Sequence, residues 1–291
     1  MKKICLVAIM CDEEKFIDEW LVYHRLLGVD HFFLYDDAPS LPLAQFLKRH
    51  IDYVTVIPWH NRHHSYEGRN RQTKAYLHAV KEFSHEFEWA TFIDGDEFIV
   101  LRRHNTIGEF LADYVAFSSI SLNWHVFGHN GYFDDPPGLI TESLVRRKAE
   151  PSRHVKSITR TQAIADIQSA HFCKLKSGRM GDANKRIFRD ALYEGKTNIA
   201  HINHYQCRSF TRWMSRTKRG CVTIDPLNPA SGDNQWRIDE QACLKQFVTT
   251  IALDKNELVD EYMKKYTLPI LDELNLLERP GKDVEQPATN F

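Results

Sequence analysis

The chain has 291 residues, 43% of them apolar and 12% aromatic, enough to bury a sizeable core in one large domain or two small ones. Its 38 Lys and Arg are matched by 39 Asp and Glu, so no overall field draws it to nucleic acid or membrane, and any charged binding surface is local. Six cysteines (Cys5, Cys11, Cys173, Cys207, Cys221 and Cys243) include no C-x-x-C pair, which argues against a zinc knuckle or disulfide scaffold and fits a reducing compartment.

The N-terminus, Met1-Lys2-Lys3 and then Ile4 to Cys11, mimics the start of a signal peptide. The apolar run breaks on Asp12-Glu13-Glu14 without a small-residue cleavage site, so a first strand buried on both faces is the better reading. Phe16, Ile17, Trp20, Leu21 and Leu27 follow at helical spacing, and Gly28 closes that helix. His31 to Tyr35 is a second strand, ended by the turn residues Asp36-Asp37-Ala38-Pro39-Ser40. A short helix at Leu43 to Leu47, a strand at Tyr53 to Ile57, a helix from about Arg69 to His85 and a strand at Trp89 to Ile93 complete the alternation. That order predicts an open, mostly parallel sheet with helices on both faces, whose ligands bind beyond the carboxyl ends of the strands.

The second half is less regular. Strands are expected at Ala116 to Trp124, Leu139 to Arg147, Ser157 to Thr161 and Asn198 to Tyr205, with a glycine-containing loop at Phe127 to Tyr132. Ser209 to Gly220 reads as a short cationic helix and Asn256 to Leu277 as a helix interrupted at Pro269. We divide residues 1–278, taken as one domain, into a ligand-binding half (1–101) and a second half (102–278). The tail 279–291 is expected to be disordered. No stretch reaches the about 18 apolar residues of a membrane span, so a soluble cytoplasmic protein is expected.

Phe92-Ile93-Asp94-Gly95-Asp96-Glu97-Phe98 carries the strongest chemical signal. It sets three carboxylates on a tight turn at the end of a buried strand, and Gly95 lets the backbone turn sharply. Carboxylates gathered this way repel unless a cation joins them, and Mg2+ or Mn2+ shared with a diphosphate does so. A D-x-D triplet alone is also met by chance as a solvated acidic turn. Glu13 and its neighbours open the first helix, where acidic residues favour the helix dipole without any ligand. Asp36 and Asp37 either accept hydrogen bonds from a nucleoside or cap their turn. Arg69 and Lys74, at the start of a helix near the sheet edge, suit a diphosphate or simply face water. His60, His63 and His64 lack the spacing of a metalloprotease. In Ala200-His201-Ile202-Asn203-His204-Tyr205, the two histidines would face opposite sides of a strand.

These letters resemble glycosyltransferase family 92, within the GT-A nucleotide-sugar glycosyltransferases. The resemblance runs through Asp12 to His24, Leu27 to Asp37 and the Asp94-Gly95-Asp96-Glu97-Phe98 string. It continues in Trp124 to Gly131, Lys156-Ser157-Ile158 and Asn203-His204-Tyr205. Asp12 departs from the family's usual Asn. The resemblance spans roughly residues 4 to 220. It implies a Rossmann-like GT-A fold, an inverting mechanism and a uridine diphosphate hexose donor, galactose foremost, with Mn2+ or Mg2+ as cofactor. It places Asp96 on the metal, Asp94 on the ribose or the metal through water, and His204 near metal and diphosphate. Asp36 would read the base with Glu13 in the same pocket, and Trp124, His125, Gly128 and Gly131 would border the acceptor.

His171, Glu142, Asp182 and Asp135 are all possible bases for the acceptor hydroxyl, and His171 is our choice among them. A nucleotide-sugar hydrolase or pyrophosphorylase, a non-catalytic carbohydrate-binding protein and a zinc hydrolase are the rival readings. A pyrophosphorylase would show a glycine-rich loop after the first strand, and Met10 to Lys15 has no glycine. Arg208 to Arg219 is a cationic amphipathic segment that either packs on the core or rests on an anionic membrane. The second alternative would bring the site to a lipid-linked saccharide at the inner face, as the synthesis of bacterial surface polysaccharide or lipopolysaccharide requires.

Overall fold

Four strands of the first hundred residues form the sheet that the alternation predicts. The structure, a computed structural model, describes residues 2–38, 42–60, 70–188, 192–219, 240–251 and 255–278. Strands β1 (Lys2–Met10), β2 (His31–Asp36), β3 (Val54–Pro58) and β4 (Phe87–Phe92) run parallel in the order β3-β2-β1-β4. Val7 of β1 is in register with Phe33 on one side and Phe92 on the other.

Beyond β4 come β5 (Glu97–Leu101), β6 (Ser119–Val126), β7 (Arg146–Arg147) and β8 (Val155–Arg160). They are followed by β9 (Ile164–Asp166), β10 (Lys174–Leu175), β11 (Met180–Asp182), β12 (Ala200–His204) and β13 (Leu258–Val259). The sheet continues from β4 through β8, β6 and β12 to β5, with β11 beside β6. β8 runs antiparallel to both neighbours, β12 parallel to β6, and β5 antiparallel to β12. The result is one mixed, mostly parallel α/β sheet flanked by helices.

Both faces are covered, which is why β1 is an uninterrupted apolar run. Leu6, Ala8 and Met10 pack with Trp20 and Leu21 of α1 (Ile17–Leu26), while Cys5, Val7 and Ile9 pack with Ala75 and Ala79 of α2 (Arg71–Glu82). Gly28, at φ 92°, ends α1 in the left-handed conformation that glycine adopts at no cost. Asn70 caps α2 by accepting a 2.9 Å bond from the Thr73 amide.

Two expectations change. Residues 139–147 are a short helix α4 (Ile140–Ser143) followed by β7, not one strand, and α3 (Ile107–Ala112) precedes them. The cap of α4 comes from Glu19, whose buried carboxylate accepts from Ile140 N at 2.7 Å and Thr141 N at 2.9 Å. Downstream lie α5 (Phe210–Arg219), α6 (Glu240–Gln246) and α7 (Thr267–Glu278). Pro269 sits in the first turn of α7, where its missing N–H costs nothing, so it starts a helix rather than interrupting one. The expected disorder of 279–291 lies outside the described residues. No helix of the described residues is long and apolar enough to cross a membrane.

The C-terminal stretch folds back on the sheet. β13 pairs with β7, Asp260 accepts from Arg102 and Arg147 at 3.0 Å each, and the Tyr262 hydroxyl donates to Leu101 O at 2.6 Å. Met263 and Ile270 enter the core.

β5 is an edge strand, and α1 blunts the edge. Trp20 Nε1 donates to Glu97 O at 2.8 Å, and the Tyr23 hydroxyl donates to Ile99 O at 2.6 Å. His24 completes the set. Its Nδ1 lies 2.8 Å from Trp20 O and its Nε2 receives the Ile99 amide at 3.3 Å, an arrangement only the neutral ring satisfies. Burial lowers its pKa to about 3. A base whose folded pKa is depressed contributes stability above its unfolded value, near 6.5, and loses it as the pH falls below that value. We expect His24 to account for about 1.4 kcal/mol of lost stability per pH unit below 6. Urea denaturation between pH 7 and 5 checks it: His24→Gln should show a shallower decline, and an unchanged slope would refute the assignment.

Candidate active site

The carboxylate turn lies between β4 and β5, at the edge where β1, β4, β6 and β12 all end. Glu97 Oε2 accepts the Asp94 amide at 2.9 Å and closes the turn. A Cβ on Gly95 would meet Met10 Sδ at 2.7 Å and Glu13 Cγ at 3.2 Å, so a larger residue here would have to push those two side chains aside. The Tyr205 amide donates to Asp96 O at 2.8 Å, and Asp96 Oδ1 faces His204 Nε2 at 3.5 Å.

The two aspartates have different surroundings. Asp94 accepts Gln72 Nε2 at 2.6 Å and the Tyr76 hydroxyl at 3.2 Å on one oxygen, and Lys156 Nζ at 3.1 Å on the other. Gln72 and Tyr76 meet it together because they stand one turn apart on α2. Lys156, 1% exposed, also reaches Glu97 Oε2 at 3.3 Å. Burial pushes Glu97 well above the usual carboxylate range, and Lys156 opposes that rise. Asp96 stands instead against a histidine that burial keeps below its ordinary pKa, with Asp96 pulling the other way.

A wall of rings rises beside the turn. Trp124 stacks on His154 at 4.9 Å and packs against His204 at 4.4 Å and His171 at 5.4 Å. Trp124 Nε1 and His204 Nδ1 are buried without a protein partner. His171 Nδ1 lies 3.2 Å from Val155 O, so it carries the proton and Nε2 the lone pair. Burial, then the charge of Lys156, lowers its pKa to about 4.

The other expected residues scatter. Glu13 is ion-paired to Arg208. Asp36 caps its own turn, accepting from Ala38 N and Leu43 N. Lys74 sits on α2 two residues from Gln72, on another helix face. Arg69 lies outside the described residues, as do His63 and His64. His125 points away from Trp124 and stacks on His201 at 4.1 Å, on the opposite side of the sheet. Gly128 is tight against Asn256 and Lys255, while Gly131, at φ 86°, has open space where a Cβ would stand.

Among the alternative bases, Glu142 is exposed on α4, Asp182 caps the turn after β11, and Asp135 binds Arg212. The cationic stretch also turns inward. Arg208 is 1% exposed, Arg212 donates to Asp135 and Asp12 O, and Trp213 packs with Cys207, Cys243 and Phe247. Nothing is described of the side chains beyond Ser215 in this helix. Sequence reasoning missed Gln72, Tyr76 and Lys156 as partners of Asp94; the i, i+4 spacing of the first two was the available signal.

The molecule is an α/β protein with its acidic turn at the carboxyl edge of a mostly parallel sheet, and its family places it among the glycosyltransferases. The chain belongs to glycosyltransferase family 92, whose model matches residues 3–234. It is similar to a family 92 protein of Arabidopsis thaliana, 23% identical over 234 residues, which are 76% of this chain and 38% of that one. It is also similar to one of Ricinus communis, 26% identical over 189 residues, 60% of this chain and 32% of the relative. The chain thus spans about a third of the length of these relatives. Among solved structures, Staphylococcus aureus TarS in complex with UDP overlaps 55% of this chain and 47% of its own, with 16% identity and a TM-score of 0.34. Glucosyl-3-phosphoglycerate synthase of Mycobacterium tuberculosis with Mn2+ and UDP overlaps 56% and 58%, with 12% identity and a TM-score of 0.33. Likenesses this loose reach no further than outline.

Proposed function

We propose that the protein transfers a hexose, galactose foremost, from a uridine diphosphate sugar to a saccharide acceptor, with inversion and with Mn2+ or Mg2+ as cofactor. The observation that carries this reading is the Asp94-Gly95-Asp96 turn against His204, at the carboxyl edge of the sheet in a chain of family 92.

The residues fit a divalent cation. Asp94 and Glu97 share the Lys156 ammonium, whereas the Asp96 carboxylate has only the His204 imidazole before it, which leaves negative charge that a cation would neutralise. Lys156, Gln72 and Tyr76 already satisfy Asp94, so Asp96 and neutral His204 are the residues that would hold the metal. When bound, the metal neutralises the charge that develops on the departing diphosphate. In this reading Asp94 receives a hydroxyl of the ribose, and the ring wall around Trp124 keeps water from the sugar. His171 takes the acceptor proton on Nε2. The relatives compared are plant proteins and carry nothing toward a bacterial polysaccharide, and with Arg208 and Arg212 turned inward a membrane contact rests on the remainder of that helix.

Uridine diphosphate should raise the melting temperature only when Mn2+ or Mg2+ is present. Ligand at a hundred times its Kd stabilises by about 2.7 kcal/mol, worth several degrees in a protein of this size. Differential scanning fluorimetry with excess chelator as the second arm decides it. An equal shift in chelator would remove the metal bridge from the proposal, and no shift in either arm would remove the donor.

A further inference from the structure

Arg208 lies between β12 and α5, with its backbone at φ 54°, in the left-handed region that a residue with a Cβ rarely occupies. Its guanidinium is 1% exposed and therefore meets no substrate directly. It bonds Glu13 Oε2 at 2.5 Å and Gly95 O at 2.9 Å, and it lies over the Phe16 ring at 4.7 Å. Its Nε remains buried without a partner. Strain, a desolvated charge and an unsatisfied N–H are all retained at one residue, and its geometry spends them on the backbone of the acidic turn.

We propose that Arg208 is a positioning residue: through Glu13 and the carbonyl of Gly95, it fixes the Asp94-Gly95-Asp96 turn in the shape that binds a cation. The peptide groups on either side of Asp96 are both held from one short segment. Gly95 O is held by Arg208, Asp96 O by the Tyr205 amide, and the facing imidazole belongs to His204. With both carbonyls anchored, the backbone that carries the Asp96 carboxylate is fixed beside His204, whose Nε2 lies 3.5 Å from Oδ1. Glu13 has two tasks here. It balances the buried guanidinium, and its Cγ closes the space beside Gly95. The segment 204–208 thus supplies a ligand for the metal and both props for the carboxylate that shares it. This inference rests on the metal-dependent donor site proposed above.

The test compares Arg208→Lys, Arg208→Gln and Glu13→Gln with Arg102→Gln, which breaks an ion pair to Asp260 on another part of the sheet. Two quantities are measured on each folded variant. One is amide hydrogen exchange of a peptide spanning 93–98 without ligand; the other is the Kd for UDP in saturating Mn2+ by calorimetry. Arg208→Gln and Glu13→Gln should exchange faster across the turn and bind UDP at least tenfold more weakly. Arg208→Lys should recover part of both, because it keeps the charge without the two-pronged reach. Arg102→Gln should melt earlier while leaving both quantities within twofold of the unaltered protein. A merely structural Arg208 would behave as Arg102 does, and that result overturns the proposal. Should Arg208→Gln fail to fold, Arg208→Lys and Glu13→Gln decide it alone. If the unaltered protein binds no UDP with Mn2+, the donor reading fails, while exchange across 93–98 still decides whether Arg208 holds the turn.

Discussion

Asp96→Asn is expected to lower turnover by at least about a hundredfold while leaving the fold intact. The exchange keeps the size of the side chain and a carbonyl oxygen that can face His204 Nε2, and the anchoring bond from the Tyr205 amide goes to the backbone. It removes the charge that a divalent cation needs. Loss of one well-placed electrostatic group at a reacting centre commonly costs a factor of about 10² to 10³. Turnover of UDP-hexoses, read as released diphosphate, checks it beside circular dichroism and the melting temperature. Turnover within threefold of the unaltered protein at limiting Mn2+ would show that Asp96 does not hold the metal. A collapse of the melting temperature would instead make it a structural group.

Lys156→Met should be the most destabilising single change at the site, by about 3–5 kcal/mol. Its ammonium is the cation that Glu97 and Asp94 share, and the two carboxylates differ in what its loss means. Asp94, with 34% of its side chain exposed, can be screened by water; Glu97, 0% exposed, cannot. An uncompensated buried carboxylate must either stay charged in an apolar site or take up a proton. Urea denaturation measures the loss. Adding Glu97→Gln should return part of it, since the second change removes the stranded charge. A loss below about 1 kcal/mol would place this pair with ordinary surface ion pairs.

The parallel half of the sheet was legible because burial on both faces writes itself as unbroken apolar runs, as in β1, and because Gly28 and Asn70 are local stop and start signals. β5 went unnamed because Glu97 to Leu101 follows the acidic turn directly and read only as its exit. Residues 139–147 went wrong for a different reason: Glu19 caps α4 from 121 residues away, and no local pattern carries that information. The site shows the same division. The carboxylates announced themselves by clustering, whereas Lys156 reaches Asp94 across 62 residues and Arg208 reaches Glu13 across 195. Arg208 was further disguised by the helical spacing of the cations after it. Its left-handed backbone puts it ahead of the helix and turns it inward.

The return of residues 258–270 onto the sheet separates two boundaries that are easily taken for one. The stretch shared with the family stops at residue 234, yet Asp260 neutralises two arginines of the shared part and Met263 wedges into the core beneath Tyr23. A chain trimmed to the shared stretch would keep every residue assigned a chemical role here and lose the buttress behind the strand that leaves the acidic turn.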